Sequence, residues 1–238
     1  MLRFRIVAVV GAAFFAGAAQ NALAADLPQP APYPPPQAPA TYVPAPPAFS
    51  WTGFYIGANA GYGFSNGSGT FTPGPTSFSV SGNGFLGGAQ AGFNYQMGGL
   101  VIGMEADFQG STGSGSLTTP GGVITATAKD PWFGTFRGRV GYAFNRFMIY
   151  GTGGGVYGNG TINGTSTLPG GGPFNNSATY VTWTAGAGVE YAFMGPVSAK
   201  LEYLYAGSPS ALPTIPGVTG VTGSANTNII RAGVNYHF

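Results

Sequence analysis

The stretch FRGRVGYAFNRFMIYG, Phe136–Gly151, decides the fold. Arg137 and Arg139 share one parity, while Phe136, Val140, Tyr142 and Phe144 share the other. Successive side chains of an extended strand point to opposite faces, so this segment has one cationic face and one aromatic and aliphatic face. No apolar stripe at helical spacing runs through it. Asn145-Arg146 marks a tight turn, and a second alternating run starts at Phe147.

Working outward, the same texture recurs. Eight alternating segments are expected as strands: Phe54–Phe64, Gly84–Gln96, Leu100–Gly110, Phe133–Asn145, Phe147–Gly158, Val181–Phe193, Val197–Gly207 and Asn228–Phe238. Each has the length and period of a transmembrane strand. The connections alternate as well. Asn66–Asn83, Ser111–Trp132, Asn159–Tyr180 and Ser208–Thr227 are long, whereas Met97–Gly99, Asn145-Arg146 and Met194–Pro196 are short. That rhythm predicts an all-β, eight-stranded, antiparallel up-and-down transmembrane β-barrel. Both chain ends fall on the short-turn side, which is periplasmic in an outer membrane. The long connections are poor in charge and rich in Gly, Ser and Thr. They are expected to be mobile outside the cell without a packed cap, although Phe71, Phe78 and Phe174 offer local anchors.

The arginines find acids on other strands. Glu105 and Asp107 oppose Met104, Ala106 and Phe108 in parity; Glu190 opposes Val189, Tyr191 and Phe193; Lys200 and Glu202 oppose Leu201, Tyr203 and Tyr205; Arg231 opposes Ile230 and Val234. Parity alone does not say which face points inward. Lipid outside is favoured by the charged strands, the nearly uncharged loops, the terminal Phe238, and the Gly, Ala, Ser and Thr that crowd the charged face. Glu105, Asp107, Arg137, Arg139, Glu190, Lys200, Glu202 and Arg231 are therefore expected to form a barrel-lumen charge network. The third and fourth strands pair Glu105 and Asp107 with Arg137 and Arg139, and the last three strands gather the remaining four residues.

Composition narrows the setting. The chain has 8 Lys+Arg and 6 Asp+Glu among 238 residues, far below the roughly one quarter usual in soluble domains. With no cysteine, disulfides and thiolate chemistry are excluded. Arg3 and Arg5, the apolar run Ile6–Ala19 and Ala22-Leu23-Ala24 read as a signal peptide, 1–24. Its removal takes the basic count from 8 to 6, equal to the 6 acids, so no polybasic nucleic-acid surface remains. Residues 25–50 are a proline-rich periplasmic tether suited to extended polyproline II, open to weak peptidoglycan or protein contact. Residues 51–238 form the barrel domain.

Several quoted stretches carry a resemblance. WTGFYIGANAGYGF (Trp51–Phe64), IGMEADFQGS (Ile102–Ser111), WFGTFRGRVGYAF (Trp132–Phe144) and the final RAGVNYHF resemble the small outer-membrane β-barrel proteins of alphaproteobacteria, the rhizobial and Brucella Omp25/Omp31-like group. The likeness covers about Trp51–Phe238 plus a leader of the same type. It implies an eight-stranded outer-membrane barrel with surface loops, in the wider porin-like family. Its partners would be outer-membrane lipid and lipopolysaccharide, periplasmic chaperones and the barrel-assembly machinery, for which Phe238 is the expected assembly signal. The leading function is envelope structure and integrity. The alternatives are a small porin for limited diffusion of small solutes, or a surface binder of haem, phage or a host ligand. The charge-poor loops of this chain sit badly with ligand roles that rest on charged loops.

No catalytic, cofactor-binding or metal residues are expected. GTGGGVYGNG, Gly151–Gly160, lacks the lysine and following helix of a phosphate loop. Glu105 and Asp107 imitate a glycosidase acid pair, but facing arginines suit a structural role better. His237, the only histidine, falls at the end away from the loops and has no evident partner for a metal.

Overall fold

The computed structural model describes residues 49–72, 76–209 and 214–238. The expected signal peptide and the tether up to residue 48 lie outside the described residues. Nine antiparallel strands form one sheet: β1 (Gly53–Thr72), β2 (Thr76–Met97), β3 (Leu100–Ser111), β4 (Ser114–Thr118), β5 (Ile124–Phe144), β6 (Phe147–Ser166), β7 (Gly172–Met194), β8 (Val197–Ala206) and β9 (Gly220–His237). Neighbours pair around the sheet from β9 through β8, β7, β6, β5 and β3 to β2, and β1 pairs with both β2 and β9. The architecture is all-β, antiparallel and barrel-like.

A ninth strand appears because one expected strand is longer and broken. β3 and β4 lie in turn between β2 and β5: β2 pairs with β3 through Leu86–Met97 and with β4 through Ser79–Asn83. Thr112 and Gly113 interrupt the ladder, and the register of β5 shifts between Lys129 and Trp132. That bulge reverses parity, as an extra residue must. Below it Phe133, Thr135, Arg137 and Arg139 point inward; above it Ile124 and Ala126 do.

The strands also run past their expected ends. β1 continues to Thr72, β5 begins at Ile124, β6 continues to Ser166 and β7 begins at Gly172. Most of the supposed loop residues are paired sheet. Inside this extension Phe71, Leu117, Ile124, Ile162, Phe174 and Ile215 pack together, with Phe78, Val80 and Leu168 against them. The expectation that these segments form loops without a packed cap is therefore corrected. Inward apolar residues at facing hairpin tips bury one another, and that burial offsets the entropy of ordering the hairpins.

At the opposite end the three connections are two-residue turns. Each opens in the left-handed region, at Gly98 (φ 61°), Asn145 (φ 60°) and Gly195 (φ 48°). Glycine takes that conformation freely, and asparagine tolerates it best among the rest.

The outer face is apolar. Phe85 is 69 % exposed and Phe136 63 %, whereas Arg137 one position on is 1 % exposed. Tyr95, Phe144, Phe193, Tyr236 and Phe238 ring the short-turn end, and Phe64, Phe85, Phe108, Trp183 and Tyr203 ring the other. Phe54 belongs to the short-turn ring: its ring lies 4.8 Å from Phe93, and its carbonyl accepts the Phe238 amide at 2.9 Å. Two such belts are what aromatic side chains form at membrane–water interfaces.

Candidate functional site

The interior is layered. Next to the short turns lie Trp51, Val101, Ala143, Met148, Tyr150 and Ala192, with Phe49 against them. Trp51 is fully buried; its indole N–H donates to the Asn145 carbonyl at 3.0 Å, and its amide donates to Gln96 Oε1 at 2.9 Å. Phe49, placed by sequence in the tether, stacks edge-on against Trp51 and His237. A polar layer follows. Above it Leu86, Phe133, Val156, Leu204 and Ile229 form a second apolar layer, and the cluster around Phe71 forms the last.

The polar layer holds all eight ionisable residues singled out by parity, none more than 7 % exposed. Alternation puts them there: each stands opposite an outward aromatic or aliphatic neighbour, and the sheet curls around them. Glu105 of β3 is the centre. Lys200 Nζ donates to both its oxygens, at 2.8 and 2.7 Å. Arg137 donates to it from the adjacent strand, and Arg139 and Arg231 approach at 3.8 and 3.4 Å. Asp107 receives Arg137 at 3.0 Å and Arg231 at 2.9 Å. Glu202 receives Arg231 at 2.6 Å and Arg137 at 3.1 Å. Arg139 reaches Glu190 at 2.8 Å.

The grouping differs from the one read by strand order. Adjacent strands do supply Arg137 with Glu105 and Asp107, and Glu202 with Arg231. But Lys200–Glu105, Arg231–Asp107, Arg137–Glu202 and Arg139–Glu190 join residues of strands that do not pair with each other, so one network replaces two local groups. Glu190 and Lys200 face each other in register, yet Glu190 is held by Arg139, Ser198 and Asn235 instead.

Uncharged residues complete the layer. Tyr55 donates to Glu105 at 2.8 Å and accepts from Arg139 at 3.0 Å. Tyr150 donates to Glu202 at 3.1 Å, with the Arg139 guanidinium 4.0 Å from its ring centre. Thr135 bridges Asp107 and the Arg137 Nε. Asn59, Gln90 and Asn235 pass a chain of amide hydrogen bonds to Glu190. Tyr55 covers Gly92 and Tyr150 covers Gly188; a Cβ at either glycine would run into the ring. Sequence reasoning passed over Tyr55, Asn59, Gln90, Thr135 and Tyr150, although Tyr55 and Asn59 share an inward parity that marks them.

Burying eight charges is costly unless each is paired and hydrogen-bonded. Here four acids meet four bases, and most lone pairs and protons are used. The arrangement binds strands to one another and fills space. Ser198 is fully buried, and it meets His237 Nε2 at 2.9 Å while donating to Glu190 at 2.6 Å. In a hydrolytic triad the acid would instead accept from Nδ1, which here has no hydrogen-bond partner. Among the described residues no cluster of His, Asp and Glu is arranged to hold a metal ion.

The chain is similar to known proteins. The model of the family described as "Outer membrane protein beta-barrel domain" matches residues 37–238. The 31 kDa outer-membrane immunogenic protein of Brucella melitensis is 36 % identical over 248 residues, covering 98 % of each chain. The 25 kDa outer-membrane immunogenic protein of Brucella abortus is 33 % identical over 200 residues, 82 % of this chain and 85 % of that one. Among solved structures, Neisserial surface protein A aligns with a TM-score of 0.42 at 16 % identity, over 79 % of this chain and 98 % of that chain. The chain thus belongs to the outer membrane protein beta-barrel domain family, in its Omp25/Omp31-like group, as a protein of the bacterial outer membrane.

Proposed function

We propose that the strands close an eight-stranded up-and-down transmembrane barrel, with β3 and β4 as one interrupted strand, and that its filled interior serves envelope structure and integrity rather than solute flow. The observation that carries this reading is Glu105, bound by Lys200 and Arg137 and approached by Arg139 and Arg231 within 4 Å. Such a hub crosses the bore. An eight-stranded barrel is about wide enough for side chains to fill, and apolar layers stand on both sides of the charges. Inward glycines such as Gly186 and Gly188 speak for a porin, but Leu204 and the Tyr150 ring lie against them.

The short-turn end faces the periplasm, and the strand extensions stand outside the cell. Residues 1–24 are removed on export, and the proline-rich residues from 25 up to 48 serve as a periplasmic tether open to weak peptidoglycan or protein contact, with Phe49 already part of the barrel. Periplasmic chaperones and the barrel-assembly machinery deliver the chain, with Phe238 as the assembly signal. Outer-membrane lipid and lipopolysaccharide surround the folded barrel. Planar-bilayer recording of the purified, folded protein tests the reading. A silent bilayer is expected; large, steady, weakly selective steps would overturn it.

A further inference from the structure

The sheet is interrupted where β3 gives way to β4 beside β5. β3 pairs with β5 as far as Gly110–Trp132, and pairing resumes in β4 at Ser114–Lys129. Between them Ser111, Thr112 and Gly113 face Asp130 and Pro131 without ladder pairing, and a proline has no N–H to offer. The interruption lies just above the outward rings of Phe108, Trp132 and Tyr157, which meet at 5.7 and 5.9 Å. Asp130 stands on its inner side. Above the β5 bulge the even-numbered residues point inward, as Ile124 and Ala126 do. Asp130 Oδ1 lies 3.2 Å from where a Cβ on Gly160 would stand, and the Tyr180 ring lies 3.9 Å from the same point. Gly160 is buried, and the next inward residue of β6, Gly158, is glycine too. The apolar layer of Leu86, Phe133 and Val156 lies below, with Tyr180 packed against it.

We infer that this recess binds a small organic cation, a primary ammonium on a short apolar stem, with Asp130 as its counter-ion. The inference needs only the fold, not the envelope role proposed above. Among the described residues the other four acids each meet an arginine or a lysine, whereas Asp130 meets no cation. Lys129, its chain neighbour, has the opposite parity and stands exposed on the outer face. Asp130 is open to water, yet the protein around it raises its pKa by desolvation. Burial, and then the Asp130 charge, raises the pKa of Tyr180. A carboxylate that is both wet and crowded sits in a recess, and a cation arriving there offsets the lost hydration. The chemistry of the recess selects the kind of cation. A carboxylate only accepts hydrogen bonds, and its charge repels anions. Calcium or magnesium takes six or more oxygen ligands, and no group of acids among the described residues supplies them. An ammonium donates to one carboxylate and is attracted by the face of a tyrosine ring. The two glycines leave room for it, and the Leu86 layer meets an apolar stem.

The test is equilibrium dialysis of radiolabelled butylammonium against the full, folded protein in an uncharged detergent. Saturable binding of one butylammonium per chain is expected, with no competition from butanol, which lacks the charge, or from butyrate, which reverses it. Asp130→Asn should weaken binding about tenfold or more while keeping heat-modifiable migration. Gly160→Val, which fills the space between Asp130 and Tyr180, should weaken it as well, so the proposal does not hang on one variant. Tyr180→Phe, which keeps the ring, should bind better than Tyr180→Leu. Lys129→Gln, on the other face, should bind at least as well as the parent. A lipid headgroup carries the same ammonium, so phosphatidylethanolamine is added to the micelle in a separate arm. Competition there supports a headgroup as the source of the amine, and its absence supports a free amine. No saturable binding, equal binding by folded Asp130→Asn, or competition by butanol overturns the proposal. None of these results touches the filled-barrel reading, which the bilayer recording decides.

Discussion

Glu105 shows what a single residue contributes when several partners depend on it. Removing its charge strands Lys200, whose ammonium has both Glu105 oxygens within 2.8 Å, and unbalances three arginines. Breaking a buried pair from one side costs about 3–5 kcal/mol, because the remaining charge stays dehydrated. Glu105→Gln should therefore lower the urea midpoint of the heat-modifiable form by a corresponding amount. Glu105→Gln combined with Lys200→Met should recover part of the loss, since the stranded charge is gone. A single variant as stable as the parent would show that the network does not hold the barrel together. At this scale parity put the charges on one face, Arg137 and Arg139 against Phe136 and Val140, and the nearly uncharged loops and the small residues crowding that face chose it as the inner one. Their partners were not legible. Whether Lys200 meets Glu190, its neighbour in register, or Glu105 across the bore depends on strand stagger, and stagger leaves no trace in a hydropathy pattern.

Strands were legible where the two faces differ in chemistry. From Phe133 to Phe144, aromatic residues alternate with arginine, threonine and glycine, and the period is plain. In NGSGTF, Asn66–Phe71, the outward residues are Asn66, Ser68 and Thr70 and the inward ones Gly67 and Gly69 until Phe71. Hydroxyl against glycine carries no hydropathy contrast, so a paired strand reads as a loop. The β5 bulge adds a second obstacle, because parity below it does not continue above. The extension is held by its inward apolar cluster, which leads to a prediction for the element. Phe71→Ser with Phe174→Ser removes two buried rings from that cluster. Large-to-small changes of this kind cost about 3–5 kcal/mol each in a packed core, and less where the site can collapse. Amide exchange should speed up in residues 64–72 and 172–180, while residues 133–144 and heat-modifiable migration stay unchanged. In the parent, protease applied to intact cells should leave 111–118 and 159–166 uncut. Rapid cleavage there would restore the mobile-loop picture.

The described residues are arranged in layers, and each layer answers a different need. The outer band must be apolar because lipid offers no hydrogen bonds, and the sheet must satisfy its backbone internally for the same reason. The interior is then free to carry charge, provided the charge is balanced. Glu105, Asp107, Glu190 and Glu202 are balanced by Arg137, Arg139, Lys200 and Arg231, and the Trp51 layer and the Leu86 layer lie on either side of them. Arg137→Ser with Arg139→Ser separates plug from strut. Arg137 touches Glu105, Asp107 and Glu202, and Arg139 touches Glu190, so the double variant leaves four acids facing two bases around a wider bore. Electrostatic repulsion among unpaired carboxylates and the loss of two long side chains act in the same direction. The barrel should be less stable to urea, and the protein that still inserts should pass small cations in preference to anions, with reversal potentials in a salt gradient giving the sign. A cation preference requires water to enter the vacated space, so it also reports that these two side chains filled the bore. A variant with parental stability and a silent bilayer would show that neither arginine serves as plug or strut.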